Sequence, residues 1–272
     1  MRGVFDGGFW CLKKILAIGN SHLGTLKKGF ELVLKGSQAL ECIDFAQLWE
    51  TGFGYLELDG SKIVAPDFIP EKNNPRHLNL KEAWGVYPDK VKVPDLSEYD
   101  LVLVVASPSK LFSLFYYGLL DPFSLSTGII RDIIFSNTFD VDRFPSLSPM
   151  HLRVSKVVKQ ICDFQKNKVV FIGAPLPVEG LQLTIVERLR TKLETSPANR
   201  ERHLENIERI RFVADQSLAD PEALFKVILP PRHLLCHFEI STKAAFHGRD
   251  LWHCSGEYNA KMVEHLDSLF GF

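Results

Sequence analysis

The chain has 272 residues, enough for one large domain with a full core, and its 46% hydrophobic and 24% charged content is that of a globular protein. A net charge of −1 excludes a general attraction to nucleic acid or to an anionic membrane. Five scattered cysteines with no C-x-x-C pair exclude both a disulfide framework and a cysteine-rich metal site, and they suit a reducing compartment. Residues 1–14 lack the basic start and apolar core of a signal peptide. The longest apolar runs, such as Leu101–Ala106 and Leu114–Leu120, are too short for a membrane span. A cytoplasmic protein with no membrane and no nucleic-acid partner is therefore expected.

The first predicted strand is Ile15–Ile18. It runs into Gly19-Asn20-Ser21-His22-Leu23-Gly24 and then a helix to about Lys35, closed by Gly36. Strand, tight turn and helix in this order place Ser21 at a helix start, at the carboxyl edge of a parallel sheet where catalytic groups collect. Free backbone N–H groups there suit an oxyanion, although a serine at that point also reads as a plain helix cap. Ala39–Phe45 is the second predicted strand, giving a parallel pair.

Trp49–Gly54 is a glycine-bearing turn, Tyr55–Val64 alternates as a hairpin does, and Pro66–Pro94 reads as a loop. Asp100–Ala106 is the clearest buried strand. The aromatic run from Leu111 to Tyr117 reads as core or as the lining of a substrate pocket. His151–Gln165 is an amphipathic helix, and Lys168–Gly173 is the fourth parallel strand. Residues 181–212 form a helical stretch of mixed charge, which is a solvated face and not a one-signed nucleic-acid patch. Leu218–Leu224 reads as a short helix, Phe225–Leu229 as the fifth strand, and Glu257–Leu269 as a closing helix with Tyr258, Met262, His265, Leu266 and Leu269 on one stripe.

Two other chemistries are weighed on spacing. Gly19 and Gly24 have the separation of a phosphate-binding loop, but the lysine that contacts the β- and γ-phosphates is missing, so nucleotide hydrolysis is not expected. His233, His237 and His247 gather near His253 without an H-E-x-x-H pattern, so no metal and no cofactor is expected.

Asp250-Leu251-Trp252-His253 precedes the closing helix. An Asp three residues before a His supplies a general base and its orienting carboxylate together. With Gly19-Asn20-Ser21 near the start, and with Tyr99–Ala106 and Lys168–Pro175 as core strands, the chain resembles the SGNH (GDSL-type) hydrolase family. The resemblance implies a three-layer α/β/α fold with a mainly parallel, flavodoxin-like sheet. It spans residues 1–272 as one domain, with insertions around 55–98, 111–150 and 178–225. It further implies a serine hydrolase, or an acyltransferase using the same residues, acting on a small O-acyl ester such as an acetylated sugar. Ser21 would be the nucleophile, and His253 and Asp250 would complete the triad. Gly52 or Gly54 and Ser109 would contribute to the oxyanion and substrate site. The family usually carries Gly-x-Asn-Asp where Ser107-Pro108-Ser109-Lys110 stand here. That departure keeps a second expectation open: a catalytically weak or inactive SGNH-like binding protein.

Overall fold

The computed structural model describes residues 13–19, 21–47, 56–64, 94–105, 149–173, 175–176, 178, 184–223, 225–236, 238–248 and 253–272. Ile15–Gly19 (β1) and Leu101–Val105 (β5) are buried at every position. Continuous apolar runs of this kind, without alternation, belong to central strands covered on both faces. Ile43–Gln47 (β2), Val169–Ile172 (β6) and Lys226–Ile228 (β7) complete a five-stranded sheet in the order β2-β1-β5-β6-β7, with every pairing parallel. Counting only its own strands, the sheet runs 2-1-3-4-5, the flavodoxin-like doubly wound order. Its register sets Gly19 level with Gln47 on one side and Val105 on the other. Glu57–Asp59 (β3) and Lys62–Val64 (β4) form a separate antiparallel hairpin, inside the stretch expected to make one.

Alternate side chains of β1 enter two different cores. Ile15 and Ala17 join Leu103 and Ile172 under two helices, Ser21–Val33 (α1) and Gly256–Phe270 (α5). Leu23, Leu26 and Phe30 of α1 meet Tyr258, Met262, Val263 and Leu266 of α5 in that layer. Leu16 and Ile18 face the other way with Val102 and Val104. There they pack under Pro149–Gln165 (α2), Thr184–Thr195 (α3) and Pro197–Ala219 (α4), through Val157, Ile161, Leu193, Ile207, Ile210 and Val213. The result is a three-layer α/β/α sandwich. No helix among the described residues is long and apolar enough to cross a membrane.

Four local expectations are corrected. Ala39–Phe45 is not one strand: Gln38–Cys42 is a 3-10 turn whose start is capped by the Ser37 Oγ, and only Ile43–Gln47 is extended. Helix α1 stops at Val33 instead of running to Lys35, and Lys35-Gly36 form the turn after it. Leu218–Leu224 is not a separate helix, because Leu218 and Ala219 finish α4 and Asp220 caps it. In α5 Leu269 is 42% exposed, and Val263 takes the place in the buried stripe that was expected of it.

Candidate active site

Ser21 opens α1 two residues after β1 ends. The first N–H groups of a helix lack partners in its own ladder and give that end a partial positive charge. No acidic side chain lies in the first turn of α1 to offset it. The serine hydroxyl thus stands at the carboxyl edge of the sheet, in a field that favours negative charge.

His253 reaches the same edge from the far end of the chain. It lies between a 3-10 turn, Ala244–Phe246, and the start of α5. Four hydrogen bonds fix this short connection. The Ser255 N–H donates to Phe246 O at 2.9 Å. Ser255 caps α5, its Oγ accepting from the Tyr258 N–H at 3.4 Å. The Asn259 side-chain amide donates to Ser255 O at 2.8 Å and to Cys254 O at 3.3 Å. On the other side the backbone of Gly248 lies directly against the carbonyl of His253, leaving no space for a Cβ. Only glycine permits so close an approach of two backbone segments.

The outcome is a contact of 3.1 Å between His253 Nε2 and Ser21 Oγ, two residues 232 positions apart. In the tautomer with a bare Nε2, the serine hydroxyl donates to it. That is the nucleophile-to-base geometry of acyl transfer. The His22 ring packs against the same imidazole in a tilted contact, with centroids 4.9 Å apart and planes inclined by 30°.

Of the residues expected from the sequence, the structure brings Ser21 and His253 together. Asp250, Gly52, Gly54 and Ser109 lie outside the described residues, as does His237. His233 and His247 are exposed, and no group of three or more metal-ligating side chains occurs among the described residues. Cys254, beside His253, is no rival nucleophile: burial pushes its thiol up to about 11, against the opposing hydrogen bond with Thr242.

Sequence reading missed Gln47. It ends β2 level with Gly19, it is buried, and its Oε1 has no hydrogen-bond partner among the described residues. A buried acceptor left open is uncommon. The signal was a lone amide closing an apolar strand, which an expected strand end at Phe45 hid. A cavity of about 420 Å³, by contrast, runs along the β7 edge between α4 and α5, with Arg211, Phe212, Leu229, His265 and Leu269 in its walls; neither Ser21 nor His253 lines it.

Searched against known proteins, the chain matches no family model, no curated protein and no solved structure.

Proposed function

We propose that the chain is an SGNH-like serine hydrolase, or an acyltransferase using the same residues, acting on a small O-acyl ester. The 3.1 Å contact between His253 Nε2 and Ser21 Oγ carries this reading. Neither an isolated helix cap nor a phosphate loop requires an imidazole on the hydroxyl. In the proposed reaction Ser21 Oγ attacks the ester carbonyl while His253 Nε2 takes the hydroxyl proton. The oxyanion forms against N–H groups at the start of α1, with Gly52 or Gly54 and Ser109 as further donors. Collapse breaks the bond to the alcohol, which leaves with the proton held by His253. Water, or a sugar hydroxyl in the transferase variant, then attacks the acyl-serine and restores Ser21. Asp250 is assigned the orienting carboxylate on the strength of its place three residues before His253. An O-acetylated sugar is the first substrate class to screen, and the cytoplasm is the assigned location.

The second reading, a weak or inactive binding protein of the same fold, is favoured by Ser107 and Ser109 standing where the family has glycine and asparagine. Loss of one fixed oxyanion donor costs about 10²–10³ in rate. One experiment separates the two: fluorophosphonate labelling of wild type, Ser21→Ala and His253→Ala, with mass mapping of the adduct. The hydrolase reading expects an adduct on Ser21 in wild type and none in either variant. A wild-type chain left unlabelled favours the binding protein.

A further inference from the structure

We propose that His22 is a positioning residue for the base, its ring forming the platform that holds the His253 imidazole with Nε2 on Ser21. The proposal rests on the serine-hydrolase reading and adds a residue that the resemblance does not assign.

The two histidines are fixed by different means. His22 is the second residue of α1, so its backbone is set by the helix that also sets Ser21. The Thr25 hydroxyl donates to its carbonyl at 2.8 Å and secures that first turn. His253 sits in an extended connection whose backbone is clamped by Gly248 and by the cap of α5. A clamped backbone does not by itself set the angle of the ring about its last side-chain bond, where the torsional wells are broad. Turning would carry Nε2 off the serine. A ring packed against the imidazole, with centroids 4.9 Å apart and planes tilted by 30°, opposes that turn. Ser21 meets the imidazole at Nε2 and His22 packs its ring beside it, tilted by 30°, and both partners come from the same helical turn. Nucleophile and platform therefore move as one body.

The stack also acts when the proton moves. Once His253 has taken the serine proton it is a cation, and a neutral aromatic face beside it attracts that cation. An aliphatic side chain of equal bulk fills the space without this attraction. Phenylalanine at position 22 keeps the face, leucine keeps only the bulk, and alanine keeps neither.

The experiment uses the full chain with ¹⁵N/¹³C-labelled histidine, as wild type, His22→Phe, His22→Leu and His22→Ala. Two quantities are read: the rate of fluorophosphonate labelling at Ser21, and the ring-proton resonances of His253, assigned by their loss in His253→Ala. Melting temperatures establish that each variant folds. Wild type and His22→Phe are expected to label at similar rates, with His253 protons displaced by the ring current of the neighbour. His22→Leu and His22→Ala are expected to lose that displacement and to label about 10- to 100-fold more slowly, the range for a misplaced catalytic group. Labelling of folded His22→Ala at the wild-type rate overturns the proposal. So does His22→Phe labelling as slowly as His22→Ala. A wild type that takes no probe while keeping the displaced His253 resonances sinks the hydrolase reading and any catalytic role for the stack with it. Absence of the displacement in wild type overturns the stack itself.

Discussion

Gly248 packs against the connection that carries His253 and limits where that connection can lie. Its backbone abuts the His253 carbonyl, and the carbonyl carbon and oxygen of Cys254 lie 2.6 and 2.7 Å from where a Cβ would stand. All of these are backbone atoms and none can swing aside. Gly248→Ala must therefore push the connection outward and take the imidazole off Ser21. A displacement of about 1 Å at a reacting group costs about 10²-fold. The expected outcome is Ser21 labelling slowed by that order in a variant that still melts cooperatively; a folded variant labelling at the wild-type rate would refute the clamp. Ser21 and His253 were legible in the sequence because each belongs to a local pattern: a strand-to-helix turn and an Asp three residues ahead of a His. Gly248, His22 and Gln47 were not. Their roles come from partners distant in sequence or from strand register, and no local spacing records a backbone crossing.

Helix α1 begins with Ser21 and α5 follows His253, and the two helices come close together at Gly29. A Cβ there would lie 2.5 Å from Asn259 O, with the Asn259 backbone behind it. The side-chain amide of the same Asn259 holds the Cys254 and Ser255 carbonyls. Gly29→Ala thus wedges the helices apart at the point that steadies the His253 connection. Overpacking of this kind costs about 1–3 kcal/mol. Denaturant unfolding should show that loss, and unchanged stability would mean that the helices separate freely. Strands β1, β5 and β6 were readable because each is a short buried run with polar neighbours. The turn Gln38–Cys42 was misread because five residues of mixed apolar character look alike as a strand or as a capped 3-10 turn, and only the Ser37 cap decides. The charged stretch hid the break at Ser196-Pro197, where Ser196 caps α4 and Pro197 begins it. It also hid the length of α4, whose buried stripe runs on through Val213, Ala214 and Ser217. Ser217 also ties the helix to the sheet. Its Oγ accepts from the Val227 N–H at 3.0 Å, which closes an open donor on the edge strand β7.

At the scale of the whole molecule, His203 is a buried group expected to tie stability to pH. This residue of α4 is 3% exposed, and its Nε2 lies 2.7 Å from Phe238 O while its buried Nδ1 has no partner among the described residues. That arrangement fits a neutral ring donating through Nε2. Burial accordingly holds its pKa below the ordinary 6.5, outweighing the hydrogen bond to Phe238 O and the charge of Glu239. The unfolded chain takes up a proton near 6.5 and the folded chain resists it. Stability contributed by the neutral ring is therefore complete above 6.5 and is lost as pH falls from 6.5 toward the depressed folded value. Melting temperature should decline across that interval, and more shallowly in His203→Gln, which keeps a donor for Phe238 O without the titration. Equal slopes in the two proteins would assign the decline to other groups. The layered architecture was legible from the succession of strands and helices, since parallel strands need both faces covered, whereas the flavodoxin-like sheet was expected only from the family resemblance. The contact of 3.1 Å between Ser21 and His253 has one more consequence, for the chain during its own synthesis. The serine leaves the ribosome 232 residues ahead of His253. At about 5–20 residues per second that is an interval of roughly ten to fifty seconds. Throughout it, the growing polypeptide carries Ser21 without the histidine that contacts it in the folded chain. On the proposed hydrolase reading, chemistry at Ser21 is thereby withheld from every incomplete chain, and its first appearance marks a molecule whose two distant segments have met.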